Sequence, residues 1–234
     1  MAVFVCIPAY NEAETIARTI IAARELPQVE AVLVIDDGSA DGTASRAAEV
    51  GATVIVNAVN QGKGAALELL AQTLEQPAPL WSDLKATDIL LLLDADIGSS
   101  AQAAAALLEP VIQGRADMSV AIFPTSQKKA GFGLVLNAAR EAIFRLGGGY
   151  QSQAPLSGQR AITWSCFRQL RPFADRYGVE VAMTITALRA GLSVVEVPVP
   201  MQHRAYGRDI AGIIHRGKQY LDVKKAIKKL EKNG

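Results

Sequence analysis

Asp88-Ile89-Leu90-Leu91-Leu92-Leu93-Asp94-Ala95-Asp96 is the stretch that decides the architecture. Five aliphatic residues in a row, with no polar alternation, describe a strand buried on both faces, as in parallel sheets covered by helices. The run stops at two carboxylates one residue apart. Towards the N-terminus, Val3 to Ile7 is β-rich and ends at Pro8, Ala31 to Ile35 ends at Asp36-Asp37-Gly38-Ser39, and Ala52 to Val56 is a further strand. Helical stretches lie between them: Glu12 to Arg24, Asp41 to Val50, and a helix opened by Gln61-Gly62-Lys63-Gly64 and running through Leu74. Alternating strands and helices predict an α/β fold with a mostly parallel sheet.

Past Asp96 the pattern is less regular. Ala101 to Gln113, Leu134 to Leu146 and Val179 to Ala190 are expected helices; Met118 to Phe123 and Ser193 to Val199 are expected strands. Pro155-Leu156-Ser157-Gly158-Gln159-Arg160 is expected as a loop entering a strand, and the segment from Ile210 as a basic helix. With no internal repeat or low-complexity linker, 234 residues fit one domain of two lobes. The expected division is a nucleotide-binding half over 1–97, an acceptor-binding half over 98–209 and a C-terminal helix over 210–234.

A net charge of +1 gives no global field for nucleic acid. The charge is uneven, since residues 203–234 carry nine Lys or Arg against three acids. Cys6 and Cys166 lack metal-ligand spacing and suggest neither a disulfide framework nor a zinc site, which fits a reducing compartment. The N-terminus shows no positive region ahead of its apolar residues, and no run reaches the ~18 apolar residues of a membrane span. The expectation is a cytoplasmic protein, with peripheral contact at the inner membrane face and a homodimer both left open.

Ligands of open parallel sheets bind beyond the carboxyl ends of the strands. Three strands end there in polar residues: Pro8-Ala9-Tyr10-Asn11-Glu12, Asp36-Asp37-Gly38-Ser39 and Asp94-Ala95-Asp96. Asp94 and Asp96 repel unless a cation or proton offsets them, and a hard divalent ion accepts such oxygens together with substrate phosphates. Alone, the pair could equally be a polar strand end with one helix cap; the other two strand ends favour the metal. Asp36-Asp37-Gly38-Ser39 also suits an ordinary turn, but one acid could accept from a base N–H or a ribose hydroxyl. Gly62-Lys63-Gly64 ahead of a helix is either an anion site or a flexible turn with a solvated lysine. It is neither a Walker A string nor a dinucleotide fingerprint, since Leu67 stands where the third glycine belongs. His203-Arg204-Ala205-Tyr206-Gly207-Arg208 could complete a metal shell and clamp phosphate, or be a solvated basic loop.

Ile7 to Glu12, Val34 to Thr43, Asn60 to Gly64 and Leu93 to Asp96, in that order, resemble glycosyltransferase family 2, and in particular its dolichyl-phosphate mannosyltransferase group. The second half, through Pro155-Leu156-Ser157-Gly158, Tyr177-Gly178-Val179-Glu180 and His203-Arg204, resembles glucosyl-3-phosphoglycerate synthases. The resemblance implies a GT-A fold, a nucleotide-sugar donor and a divalent metal, Mg2+ or Mn2+. It implies that Pro8, Ala9 and Glu12 line the nucleoside pocket, with Tyr10 beside the base and Asp37 accepting from the base N–H. Lys63 approaches the nucleotide; Asp94, with Ala95, faces the ribose or a metal-bound water; Asp96 ligates the metal. Ser157 and Gly158 present backbone to sugar or acceptor, Glu180 holds sugar hydroxyls, and His203 is a further metal ligand. Gly98 replaces a glutamine of some lipid-phosphate members, which shifts weight to His203.

Arg204 and Arg208 suggest an anionic acceptor, either a phosphorylated small molecule or a lipid phosphate, and Asp96, Glu180 and Arg208 are the expected catalytic set. UDP-glucose is the expected donor. Two alternatives remain at this point: a sugar nucleotidylyltransferase, which would need a Gly-rich, Arg-containing loop after the first strand, and a non-catalytic nucleotide-sugar-binding module, against which the Asp94/Asp96 pair argues.

Overall fold

The computed structural model of the chain describes residues 1–123, 133–175, 178–201 and 210–232, and only the backbone over 210–219. The strands are β1 (Val3–Ala9), β2 (Val29–Asp36), β3 (Thr53–Val56), β4 (Ile89–Leu92), β5 (Met118–Ile122), β6 (Arg160–Thr163) and β7 (Val194–Pro198). The helices are α1 (Ile16–Arg24), α2 (Thr43–Glu49), α3 (Lys63–Leu74), α4 (Ala105–Ile112), α5 (Gly133–Leu146), α6 (Trp164–Gln169), α7 (Val179–Arg189) and α8 (Ile210–Lys232), with a 3-10 turn at Gly98–Ala104 before α4.

All seven strands form one sheet, ordered β3-β2-β1-β4-β6-β5-β7. The first four are mutually parallel, β5 and β7 are parallel, and β6 runs antiparallel to both neighbours. The mostly parallel α/β sheet expected from the apolar runs is present, and the continuous runs are explained by burial on both faces. Val3, Val5, Ile7, Ile89 and Leu91 pack under α1, α2 and α4. Phe4, Cys6, Leu33, Leu90 and Leu92 pack under α3, α6 and α7 on the other face. A third layer lies outside α7, where Val135, Ala139 and Ile143 of α5 meet Val181 and Ile185 of α7 and Val223 and Ile227 of α8. The basic face of α8, with Lys224, Lys225, Lys228 and Lys229, is exposed. No helix among the described residues is long and apolar enough to cross a membrane.

Two expected helices start later than their sequence periodicity suggests. Glu12 to Thr15 form a turn rather than the first turn of α1, because the backbone N–H groups of Glu12 and Ala13 donate to Thr43 and Asp41 across the neighbouring loop. The helix expected from Ala101 opens as the 3-10 turn and becomes α-helical only at Ala105. α6, a single turn directly after β6, was not expected; the Thr163 side chain caps it by accepting from the Cys166 N–H.

Candidate nucleotide-sugar site

The chain builds β1, β2 and β3 in one direction across the sheet, then returns to place β4 on the other side of β1. The crevice beyond the carboxyl ends of β1 and β4 is therefore the switch point where ligands of such sheets bind. β6 contributes to the same edge by running backwards: Arg160, its first residue, is in register with Leu92, the last of β4. The loop before β6, not the loop after it, thus reaches the crevice.

Four side chains from four elements meet there. Lys63, the first residue of α3, sets its Nζ 2.7 Å from Asp94 Oδ1 and 3.0 Å from Glu180 Oε1. Gln159 Nε2 donates to the second oxygen, Asp94 Oδ2, at 2.7 Å. Gly158 runs so close past the pair that a Cβ on it would fall 2.5 Å from Lys63 Nζ and 2.7 Å from Asp94 Oδ1, so any larger residue would push these two side-chain ends aside. A lysine at a helix N-terminus opposes the helix dipole and needs compensating anions. Burial works to lower the Lys63 pKa, but the charges of Asp94 and then Glu180 outweigh it and hold the amine above its ordinary value, fully cationic at neutral pH.

The 57–62 loop that delivers Lys63 hangs from Asp37. This buried carboxylate accepts from the Asn57 side chain at 3.0 Å, from the Gln61 N–H at 3.1 Å and from the Gly62 N–H at 2.6 Å. The sequence expectation gave Asp37 to a base N–H; the structure gives both its oxygens to this loop, and a base would have to share or displace one of those donors. Gly38, with φ +76°, lets the loop pass: a Cβ there would sit 2.9 Å from the Asn60 nitrogen.

Most of the polar residues around Asp36-Asp37-Gly38-Ser39 and Asp41-Gly42-Thr43 hold loops rather than face the crevice. Asp36 accepts from the Ser39 hydroxyl and N–H. Ser39 in turn accepts from the Asn11 N–H at 2.9 Å, and Asn11 Oδ1 accepts from the Ala40 N–H at 3.0 Å. Thr43 Oγ1 accepts from the Glu12 N–H at 2.8 Å, and Asp41 Oδ2 from the Ala13 N–H at 3.0 Å. The β1 and β2 loops are thereby stitched together. Pro8 and Glu12 are half-buried along that seam, Ala9 is buried, and Tyr10 is exposed beside them.

Asp96 is half-buried two residues past Asp94. Its turn is clamped by a residue with no motif to mark it: buried Thr19 of α1 donates to the Ala95 carbonyl at 2.8 Å and accepts from the Gly98 N–H at 2.9 Å. Among the described residues no three His, Cys, Asp or Glu side chains converge as a complete metal cluster. His203, Arg204 and Arg208 lie outside the described residues.

The structure thus brings Lys63, Asp94, Ser157, Gly158 and Glu180 into one neighbourhood and adds Gln159 and Arg160, to which no role was given. Arg160 is completely buried. Its Nε donates to the Ser157 carbonyl at 3.0 Å, Nη2 to the Glu180 carbonyl at 2.9 Å, and Nη1 to Thr184 Oγ1 at 3.0 Å and Met118 Sδ at 3.6 Å. Burial pulls its pKa down to about 10 against the opposing charges of Glu180 and Glu196, so it remains a cation at neutral pH.

Residues 4–171 match the model of the family described as glycosyl transferase family 2. The glycosyltransferase AglJ of Haloferax volcanii is 32% identical over 211 residues, an alignment spanning 89% of this chain but only 65% of that protein. An undecaprenyl-phosphate mannosyltransferase of Micrococcus luteus is 28% identical, covering 88% of this chain and 86% of its own length. Among solved structures, glucosyl-3-phosphoglycerate synthase of Mycobacterium tuberculosis, in complex with Mn2+, UDP-glucose and phosphoglyceric acid, is 26% identical. It superposes with a TM-score of 0.72 over 97% of this chain and 79% of that one. The α/β sheet and its flanking helices are those of a GT-A fold, and the chain belongs to glycosyl transferase family 2.

Proposed function

We propose that the chain transfers a hexose from a nucleoside-diphosphate sugar, UDP-glucose first, to an acceptor that carries a phosphate. The observation that carries this reading is the meeting of Lys63, Asp94 and Glu180 at the β1–β4 switch point of a family 2 chain. In this reading residues 1–97 hold the donor, 98–209 the acceptor, and 210–234 close the fold as a basic helix. Pro8, Ala9, Tyr10 and Glu12 border the nucleoside, with Asp37 shaping its pocket through the 57–62 loop. Lys63 and Asp94 face the ribose and diphosphate, with Ala95 behind them, and Glu180 takes hexose hydroxyls.

The residues fit a divalent metal, Mg2+ or Mn2+. Such ions commonly take one or two carboxylates and leave the remaining positions to water and substrate phosphates. Asp96, on a turn clamped by Thr19, with a diphosphate supplies that donor set, and His203 is the further ligand implied by the family resemblance. When bound, the cation would stabilise the negative charge that develops on the departing diphosphate. Asp94 is held differently, since Lys63 and Gln159 take one oxygen each, which suits it to orient donor hydroxyls.

Two similar proteins carry phosphate in the acceptor their names print, an undecaprenyl phosphate and a phosphoglyceric acid. In this reading Ser157 and Gly158 present backbone to the acceptor, and Arg204 and Arg208 bind its phosphate. A phosphate oxygen is already ionised and attacks without a general base; a hydroxyl needs one, commonly a carboxylate. A cytoplasmic enzyme, with α8 packed on the domain, fits this chemistry.

The test is transfer from UDP-glucose with Mn2+ or with chelator, to 3-phosphoglycerate, to a polyprenyl phosphate, and to the matching glycerate and polyprenol. Metal-dependent transfer to a phosphorylated acceptor alone supports the reading. Equal transfer to the neutral alcohols removes the phosphate claim. Absence of transfer together with absence of metal-dependent UDP binding removes the donor claim. An Arg208→Ala variant that loses acceptor but not donor affinity would put that arginine on the acceptor.

A further inference from the structure

We propose that Arg160 is a positioning residue that fixes the distance between the Ser157–Gly158 loop of the site and Glu180, and so holds Lys63 in its two-carboxylate bridge. The inference rests on the donor and acceptor reading for its catalytic consequence, but not for its structural one.

A charge taken fully out of water is costly unless its hydrogen bonds are met, and a buried ion is often no more stabilising than an apolar side chain of the same volume. Arg160 is nevertheless one of the largest fully buried side chains in the fold. Its fork is shared between two backbone carbonyls and the side chains of Thr184 and Met118. One arm holds the carbonyl of Ser157, the other the carbonyl of Glu180, 23 residues apart in sequence yet joined through one rigid guanidinium. A planar fork with fixed donor directions sets such a spacing in a way that a lysine ammonium does not.

What hangs from each arm gives the spacing its meaning. Gly158, next to Ser157, passes so close to Lys63 Nζ and both oxygens of Asp94 that a Cβ there would displace them. Gln159, one residue further on, holds Asp94 Oδ2. Glu180, on the other arm, supplies the second carboxylate to Lys63. A shift of either arm therefore changes the Lys63–Asp94–Glu180 distances directly. Glu196 of β7 secures the same loop from its other end, accepting from Ser152 Oγ at 2.5 Å and from the N–H groups of Gln153 and Ala154 at 2.6 and 3.1 Å. The loop before β6 is thus held at both ends, and Arg160 is the end that faces the site.

The test compares Arg160→Met and Arg160→Lys with the wild-type chain by hydrogen exchange, thermal unfolding, UDP–Mn2+ titration and transfer kinetics. For Arg160→Met we expect a melting temperature below wild type, because the Ser157 carbonyl loses its donor and the Lys63 bridge loosens, with UDP still bound but more weakly. We expect exchange faster by tenfold or more at residues 155–159 and 178–182 alone, and turnover down at least thirtyfold, a larger fall than that in donor affinity. Arg160→Lys, which restores charge without the fork, should show the same local exchange and recover less than a tenth of the activity. Native exchange in both segments, or turnover within twofold of wild type in either variant, overturns the proposal. So does exchange that rises evenly across the sheet, which would make Arg160 a general core residue. If Arg160→Met does not fold, the same outcomes are read from Arg160→Lys. If the wild-type chain transfers no sugar, the functional reading falls, while the exchange pattern still decides the positioning claim.

Discussion

Replacing Lys63 by methionine removes one cation from between two carboxylates and leaves both in place. The side chains of Lys63, Asp94 and Glu180 are 23%, 30% and 12% exposed. Breaking a fully buried pair costs roughly 3–5 kcal/mol, and an exposed one contributes about 0–1. These groups lie between those limits, and Gln159 still serves one oxygen of Asp94. Weighing the two limits by this partial burial, we expect Lys63→Met to destabilise the fold by about 2–3 kcal/mol. A domain of ordinary stability, about 5–15 kcal/mol, survives that loss. With a urea slope of about 3 kcal/mol/M, the midpoint should fall by roughly 0.7–1 M. The pH dependence has a definite sign. The folded-state pKa of Lys63 lies above its ordinary 10.5, so its contribution is complete below that value and fades only as pH climbs through the higher folded one. Urea melts followed by circular dichroism at pH 6, 7.5 and 9 should therefore give the same wild-type-minus-variant difference. A cycle with Glu180→Gln should show a coupling above about 1 kcal/mol. A midpoint change below about 0.2 M, or a difference that varies across those three pH values, would refute the bridge as a structural element.

Asp96→Ala should abolish the manganese-dependent part of UDP binding without unfolding the chain; calorimetry with and without the metal measures it, and unchanged affinity removes Asp96 from the metal. Asp37→Asn turns one acceptor oxygen into a donor that faces the N–H groups of Gln61 and Gly62, and should destabilise by about 2–3 kcal/mol. A native melting temperature in that variant would mean the 57–62 loop does not depend on Asp37. α8 should not carry the protein to anionic liposomes, because Val223, Ala226 and Ile227 are buried in the domain; salt-sensitive pelleting that disappears on deleting 218–234 would show the opposite.

The fold was legible where burial dictates composition. Ile89 to Leu93 must be buried on both faces, so its run betrays both the parallel sheet and the site at its end. β6 was harder to place, because four residues, Arg-Ala-Ile-Thr, carry no sign of strand direction. Its reversal is what brings Gln159 and Arg160 to the crevice, and neither was selected as functional. An arginine beside a Gly-rich loop ordinarily belongs to solvent, and only the three-dimensional meeting of Ser157, Glu180 and Thr184 reveals an interior one. Thr19 was hidden for the same reason, since a threonine inside an amphipathic helix has no sequence mark that it grips a distant turn. The roles of Asp36 and Asp37 were legible only in part. Acids at strand ends invite a ligand reading, whereas these acids accept from backbone N–H groups of neighbouring loops.

The seam between the β1 and β2 loops bears on what the family motif diagnoses. The side-chain oxygens of Asn11, Ser39, Asp41 and Thr43 accept from backbone N–H groups of the β1 and β2 loops, so they are engaged before any nucleotide arrives. A sequence could keep this lattice intact while exchanging Tyr10 or residues of the loop before β6, and a search on the acidic string would not register the change. Substrate preference in chains of this architecture should therefore track the few positions whose side chains stand outside the lattice, such as Tyr10, and the loop before β6, rather than the acidic string by which the chains are recognised.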